Sequence, residues 1–255
     1  MKPLKVDQWI IKDVLSKGGF LLFGGTKGIG KSIMVFNLAK DLSTGAKCCW
    51  GLEGLEIPKP RTVLYLDYEL GEDRIHKRAR ELFDEAPPEG LHYLTDAEEA
   101  LDLDSNLGTQ HLTNYVNAIN PEVVIIDPVS DFMTGSDSDN SDVRDFFKNM
   151  KRIRAERNDI AFVLVHHFGK VPQGQYAQDY DALNINNFRG ASKWTDSVDT
   201  AATVVQEGKM RQGTWKNRIR WVKTRDSTLQ DQETVLHIEN FKVSFGEKEK
   251  GLKKI

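Results

Sequence analysis

"FLLFGGTKGIGKSIM", residues 20–34, runs from an apolar stretch through four glycines into a Lys-Ser pair, and two loop types compete for it. Gly24, Gly25, Gly28 and Gly30 fit the opening turn of a short-chain dehydrogenase, which cradles NAD(P). Gly25-x-x-x-x-Gly30-Lys31-Ser32 fits a nucleoside-triphosphate P-loop. Both readings set the loop between a buried strand and a helix, so position does not separate them. The flanks do. A P-loop wraps phosphate in backbone N–H groups, then needs an ammonium for the β/γ oxygens and a hydroxyl for Mg²⁺. Lys31 and Ser32 stand where those groups are required. A dehydrogenase needs a Tyr-x-x-x-Lys pair instead, and none of the six tyrosines has a lysine four residues later. The expected ligands are therefore ATP and Mg²⁺, on Gly25, Thr26, Lys27, Gly28, Ile29, Gly30, Lys31, Ser32 and Ile33.

Outward from the loop, the hydrophobic pattern alternates between short apolar runs and helical periodicity. Residues 7–17 read as a short amphipathic helix, 20–25 as a buried strand and 31–45 as a helix. Strands are expected at 62–69, 123–132 and 160–168, with helices at "EDRIHKRARELF" and over 143–158. "DTAATVVQ", "RIRWVKTR", "TVLHIE" and "KVSF" read as later strands separated by turns. The expectation is an α/β fold: a mainly parallel sheet flanked by helices, with a C-terminal antiparallel strand extension. Residues 1–245 read as one domain and 246–255, "GEKEKGLKKI", as a flexible charged tail.

Composition narrows the setting. A net charge of −3 over 255 residues gives no global pull towards nucleic acid, so a basic surface has to be local. Neither a membrane-spanning apolar run nor a signal-peptide core is seen, and the only cysteines, Cys48 and Cys49, are sequence neighbours. A reducing, cytoplasmic setting without a membrane partner is expected.

Three further positions bear on phosphate chemistry. Asp127 ends the apolar run "VVIID", where a carboxylate is unfavourable unless paired; with Ser32 it is the expected metal site. Glu69, in "YLDYEL", is the expected catalytic carboxylate, orienting the attacking water as a general base or through hydrogen bonding. Asp67 faces the same side and competes, but Glu69 sits further towards the carboxyl end, where ligands bind in open α/β sheets. "VLVHHFGK" ends a strand on His166 and His167, which face opposite ways; His167 is favoured as the γ-phosphate sensor.

Lys31-Ser32, "YLDYE", "VVIIDP", "HHFGK" and "FRGAS", in this order, resemble the RepA-type replicative helicases of the RecA/DnaB-like branch of P-loop ATPases. The resemblance spans roughly residues 5–240. It implies a RecA-like core, a six-membered ring with ATP between subunits, and single-stranded DNA in the central channel, with replication proteins as further partners. RepA-type proteins present an arginine to the neighbouring ATP ten residues beyond the Arg-Gly-x-Ser arginine; here that position is Asp199. Lys223 and Arg225 are similar to the Lys-x-Arg finger of DnaB-like rings and take the expected trans role, with Arg189 next. Residues 205–225 hold seven Lys/Arg against one acid, Glu207, interleaved with Trp215 and Trp221. Arg211, Lys216, Arg218 and Arg220 are the expected single-strand contacts. The segment 134–142 is acidic, and 171–188 carries Tyr176, Tyr180 and Phe188 without a cation, which fits an alternative: an ATP-gated loader or recombination/assembly factor that binds protein partners and unwinds nothing.

Overall fold

The computed structural model describes residues 8–69, 71–83, 86–95, 101–157, 159–169, 181–188, 192–207, 214–225 and 227–245. The chain opens with a two-stranded hairpin, β1 (Trp9–Ile11) and β2 (Leu15–Ser16). Then follow β3 (Phe20–Gly25), α1 (Lys31–Thr44), β4 (Val63–Asp67) and α2 (Glu72–Leu82). After these come β5 (Leu91–Leu94), α3 (Asn106–Ile119), β6 (Val123–Asp127), α4 (Asn140–Glu156) and β7 (Ala161–His167). The last elements are α5 (Ser192–Ser197), β8 (Thr200–Gln206), β9 (Thr214–Thr224), β10 (Glu233–Glu239) and β11 (Lys242–Phe245).

Strands β3 to β11 form one sheet in the order β11-β10-β9-β8-β3-β7-β6-β4-β5. From β8 to β5 the pairing is parallel, and β9, β10 and β11 continue it antiparallel. This is an α/β architecture of RecA-like type with a C-terminal antiparallel extension. Central strands are buried on both faces, so they read as continuous apolar runs. Within them, alternate residues serve different layers. Leu21, Phe23, Val63 and Ile125 meet α1 and α2, whereas Phe20, Leu22, Leu64 and Ile126 meet α3, α4 and α5. Among the described residues no helix is long and apolar enough to cross a membrane.

Two expectations need correction. Where a helix was expected over 7–17, residues 9–16 form the β1–β2 hairpin. Trp9, Ile10 and Ile11 are all buried, Asp13 turns at φ 60°, and Lys12 N donates to Glu56 O. An unbroken run containing β-branched residues suits extended backbone better than a half-exposed helix. The run 123–132 is a strand only to Asp127, because Pro128 has no N–H for the ladder and residues 129–132 form a 3₁₀ turn. Strand β5 and helices α3 and α5 were not anticipated. The four residues of β5 give too short a pattern, and α3 buries only Gly108, Thr109, Leu112 and Val116. The proposed tail, 246–255, lies outside the described residues.

Candidate nucleotide site

The parallel strands β3, β7, β6 and β4 are neighbours, so their carboxyl ends form one edge. Register brings Gly25 opposite His167, and Asp67 opposite Asp127. Beyond β3 the chain turns through residues 26–30 into α1. Gly28 and Gly30 sit at φ 85° and 86°, a left-handed region that side-chain-bearing residues avoid. A methyl on Gly25 would lie 2.6 Å from Val204 O, so the loop also needs glycine for space.

Lys31 folds back over this loop. Its Nζ donates to Gly25 O at 2.9 Å and Thr26 O at 2.8 Å, and lies 3.2 Å from His167 Nδ1. Burial lowers its pKa to about 8, with Asp127 and Glu69 pulling the other way. Ser32 Oγ donates to Asp127 Oδ1 at 3.2 Å, and Tyr65 OH donates to Asp127 Oδ2 at 2.5 Å. Burial raises the Asp127 carboxyl, while those two hydroxyls hold it down. Burial, then the Lys31 charge, lowers His167, so the ring is neutral and Nδ1 is free to accept from the ammonium.

The competing acids separate. Asp67 is buried and its Oδ1 accepts from Glu69 N at 3.0 Å, shaping the turn. Glu69 reaches the cavity, where Lys27 Nζ lies 3.5 Å from its Oε1. The histidines separate too. His167 lines the cavity, and His166 lies behind the sheet edge, fully buried beside the Trp194 ring at 4.9 Å. Lys27, Lys31, Ser32, Glu69 and His167 together border a cavity of about 240 Å³.

Two cavity residues were not assigned to the nucleotide site by sequence reasoning: Arg78 was passed over, and Trp215 was read as part of the single-strand patch. Arg78, on α2, has an Nη1 shielded from solvent with no partner among the described residues, and its charge reaches Asp127. Its signal was hidden in a charge-rich helix, although it lies three residues after the buried Ile75. Trp215 enters from β9, beside Gly30. Tyr65 was also passed over, because a tyrosine in an apolar run reads as core.

Other expected residues are placed elsewhere. Strand β9 runs back along β8, pairing Asn217 with Gln206 at the carboxyl edge and Thr224 with Thr200 at the opposite edge. Lys223 and Arg225 therefore sit away from the cavity. Lys223 Nζ donates to Thr195 O at 2.6 Å, and Arg225 pairs with Asp199 at 3.0 Å. Asp199 Oδ2 also accepts from Phe20 N at 3.0 Å, so the departure from the RepA pattern has a structural use here. The cations of β9 are not an open basic face. Lys216 pairs with Glu207 at 2.9 Å, and Arg218 pairs with both Glu207 and Glu233. Arg220 pairs with Glu233 at 2.7 Å and Asp181 at 2.6 Å. Sequence charge counting missed this because Asp181 and Glu233 are remote in the chain. Arg189 and Arg211 lie outside the described residues, as do Tyr176 and Tyr180.

Comparison with known families matches residues 1–173 to the AAA domain, a span that holds the glycine loop, Glu69, Asp127 and both histidines. No curated protein matches the chain. A loop built for phosphate, carboxylates at the neighbouring strand ends and a family match over two thirds of the sequence agree, and the chain belongs to the AAA domain family of P-loop ATPases.

Proposed function

We propose that the chain hydrolyses ATP with Mg²⁺ at this cavity, and that it does so as a homo-oligomeric ring moving on single-stranded DNA, with residues 1–245 acting as one unit. The observation that carries the hydrolysis is the convergence of Lys31, Ser32, Asp127, Glu69 and His167 at the carboxyl ends of four adjacent strands. The loop amides cradle the phosphates, and Lys31 turns from its two carbonyls towards the β/γ oxygens. Ser32 Oγ and Asp127 Oδ1 fit a magnesium ion: both are hard oxygens, and the buried carboxylate gains from a cation beside it. When bound, the ion offsets phosphate charge. Glu69 orients the attacking water and takes its proton, held towards the site by Lys27. His167 senses the γ-phosphate through Lys31: phosphate competes for the ammonium that Nδ1 otherwise accepts from. Arg78 adds a second cation beside the carboxylate.

The ring and its DNA rest on the motif order shared with RepA-type helicases. Lys223 and Arg225 reach across the interface in that reading, exchanging Thr195 O and Asp199 for a neighbour's phosphates. The test is ATP turnover with and without single-stranded DNA at low salt, alongside retention of the DNA. Stimulation with retention is expected. A flat rate and no retention remove the DNA translocase and leave the ATPase.

A second reading, the ATP-gated loader or assembly factor, is favoured by one observation: the cations expected to meet DNA or a neighbour are paired within the protomer. Under it, nucleotide-dependent capture of a replication or recombination protein accompanies slow, DNA-independent turnover.

A further inference from the structure

The charged groups of the cavity suit a triphosphate, and none of them recognises a base. Its largest apolar side chain is Trp215, which comes from the antiparallel extension and lies beyond residues 1–173 of the family match. Trp215 shares a face of β9 with Asn217, Ile219 and Trp221. That face is pinned to the phosphate loop: Asn217 Nδ2 donates to Ile29 O at 2.7 Å. Ile238, paired with Trp215 across β10, packs against Gly30, where an added Cβ would meet Ile238 Cδ1 at 3.0 Å and Trp215 Cγ at 3.9 Å. The indole therefore stands next to Gly30 and the first turn of α1, on a strand tied to the phosphate loop through Asn217. Its Nε1 is shielded from solvent and has no hydrogen-bond partner among the described residues. The indole N–H edge thus faces protein, and any stacking partner has to meet the ring through its face.

We propose that Trp215 is the nucleobase platform of the cavity: the purine of the bound nucleotide stacks on its indole, and β9 thereby sets a preference for purine over pyrimidine nucleotides. Purine and indole are flat bicyclic rings of similar size, so the stack buries more area than a pyrimidine offers. Base–aromatic stacking tolerates small differences in edge chemistry, so adenine and guanine both fit the platform. The inference rests on the nucleotide reading of the site, and the experiment separates the two.

Wild type, Trp215→Phe and Trp215→Ala are titrated by calorimetry with the Mg²⁺ complexes of ADP, CDP and inorganic tripolyphosphate, with thermal melts to verify folding. In Trp215→Ala, ADP binding weakens about 10- to 100-fold while tripolyphosphate binding stays within about two-fold of wild type. The wild-type preference for ADP over CDP collapses in the same variant. Trp215→Phe keeps most of the ADP affinity but loses the ADP-induced change in tryptophan fluorescence. Unchanged ADP affinity in Trp215→Ala, or equal losses for ADP and tripolyphosphate, overturns the platform. CDP bound by wild type as tightly as ADP removes the platform and leaves the phosphate site standing. Failure of wild type to bind either removes the nucleotide reading and the platform with it.

Discussion

Under the proposed function Lys31 combines two roles that pull against each other: it is buried among loop carbonyls, yet it has to be charged to meet phosphate. Its pKa, lowered by burial to about 8, sits below the 10.5 of a free lysine. As pH rises from about 8 to 10.5 the folded chain gives up this proton before the unfolded chain does, so Lys31 adds stability over that window. Lys31→Met abolishes nucleotide binding and also removes this rise, which denaturant melts across the window detect. A polyphosphate raises the Lys31 pKa, so ADP binding takes up a proton and weakens as pH climbs from about 7.5 to 9.5. Calorimetry in buffers of different ionisation enthalpy reads that uptake directly; its absence refutes the assignment of Lys31 to the phosphates.

His166 gives the opposite limb. Burial, against the pull of Asp137, lowers it from 6.5 to about 4. The unfolded chain therefore binds the proton first as pH falls, and stability is lost between pH 6.5 and about 4, by at most about 3 kcal/mol. His166→Leu flattens that acid limb in melts followed by circular dichroism. His167→Leu disturbs nucleotide turnover instead, because its ring meets Lys31 rather than Trp194.

At the scale of elements, β3 is held between β8 and β7 and has to deliver a loop with no freedom in register. Gly24 shows how tight the delivery is. A methyl there would lie 2.2 Å from the Phe188 ring and 2.9 Å from Phe168. Those two rings pack edge to face at 5.3 Å and attach residues 181–188 to the end of β7. Gly24→Ala forces them apart at a cost of about 1–3 kcal/mol, read as a lower melting temperature together with weaker ADP binding. Strand β9 acts on the same loop from the other side. Its buried Asn217 holds Ile29 O, and Asn217→Ala leaves that carbonyl without the amide, loosening the loop while Lys31 itself is intact.

For the molecule as a whole, the sheet carries two chemically different edges. The carboxyl edge of the parallel strands gathers the glycine loop, Asp127 and His167, and the amino edge holds Lys223 and Arg225. Such polarity suits a head-to-tail ring, where one subunit's far edge meets the next subunit's cavity. ATP turnover per protomer is then expected to rise with protein concentration and to level off as oligomers form in sedimentation runs. In Lys223→Ala/Arg225→Ala, turnover stays low at every concentration while ADP affinity is retained. Turnover independent of concentration, with a monomer throughout, removes the ring.

Much of this was legible in the order of residues. The glycine loop, the strands around Asp127 and His167, and the helix after Lys31 each depend on neighbours within a few positions, and backbone sterics with apolar burial act at that range. The hairpin at 9–16 was misread because its apolar run depends on what covers it. Long-range partnerships had no local trace at all. Asn217 meets Ile29 across 188 residues, and Arg220 finds Asp181 across 39. Strand order and register bring such groups together, and neither is written in composition. The chemistry of phosphate capture was therefore set by a short local stretch. Which cations are already neutralised and which tryptophan stands beside the glycine loop were set by packing, because direction and proximity arise only once strands far apart in the chain share one sheet.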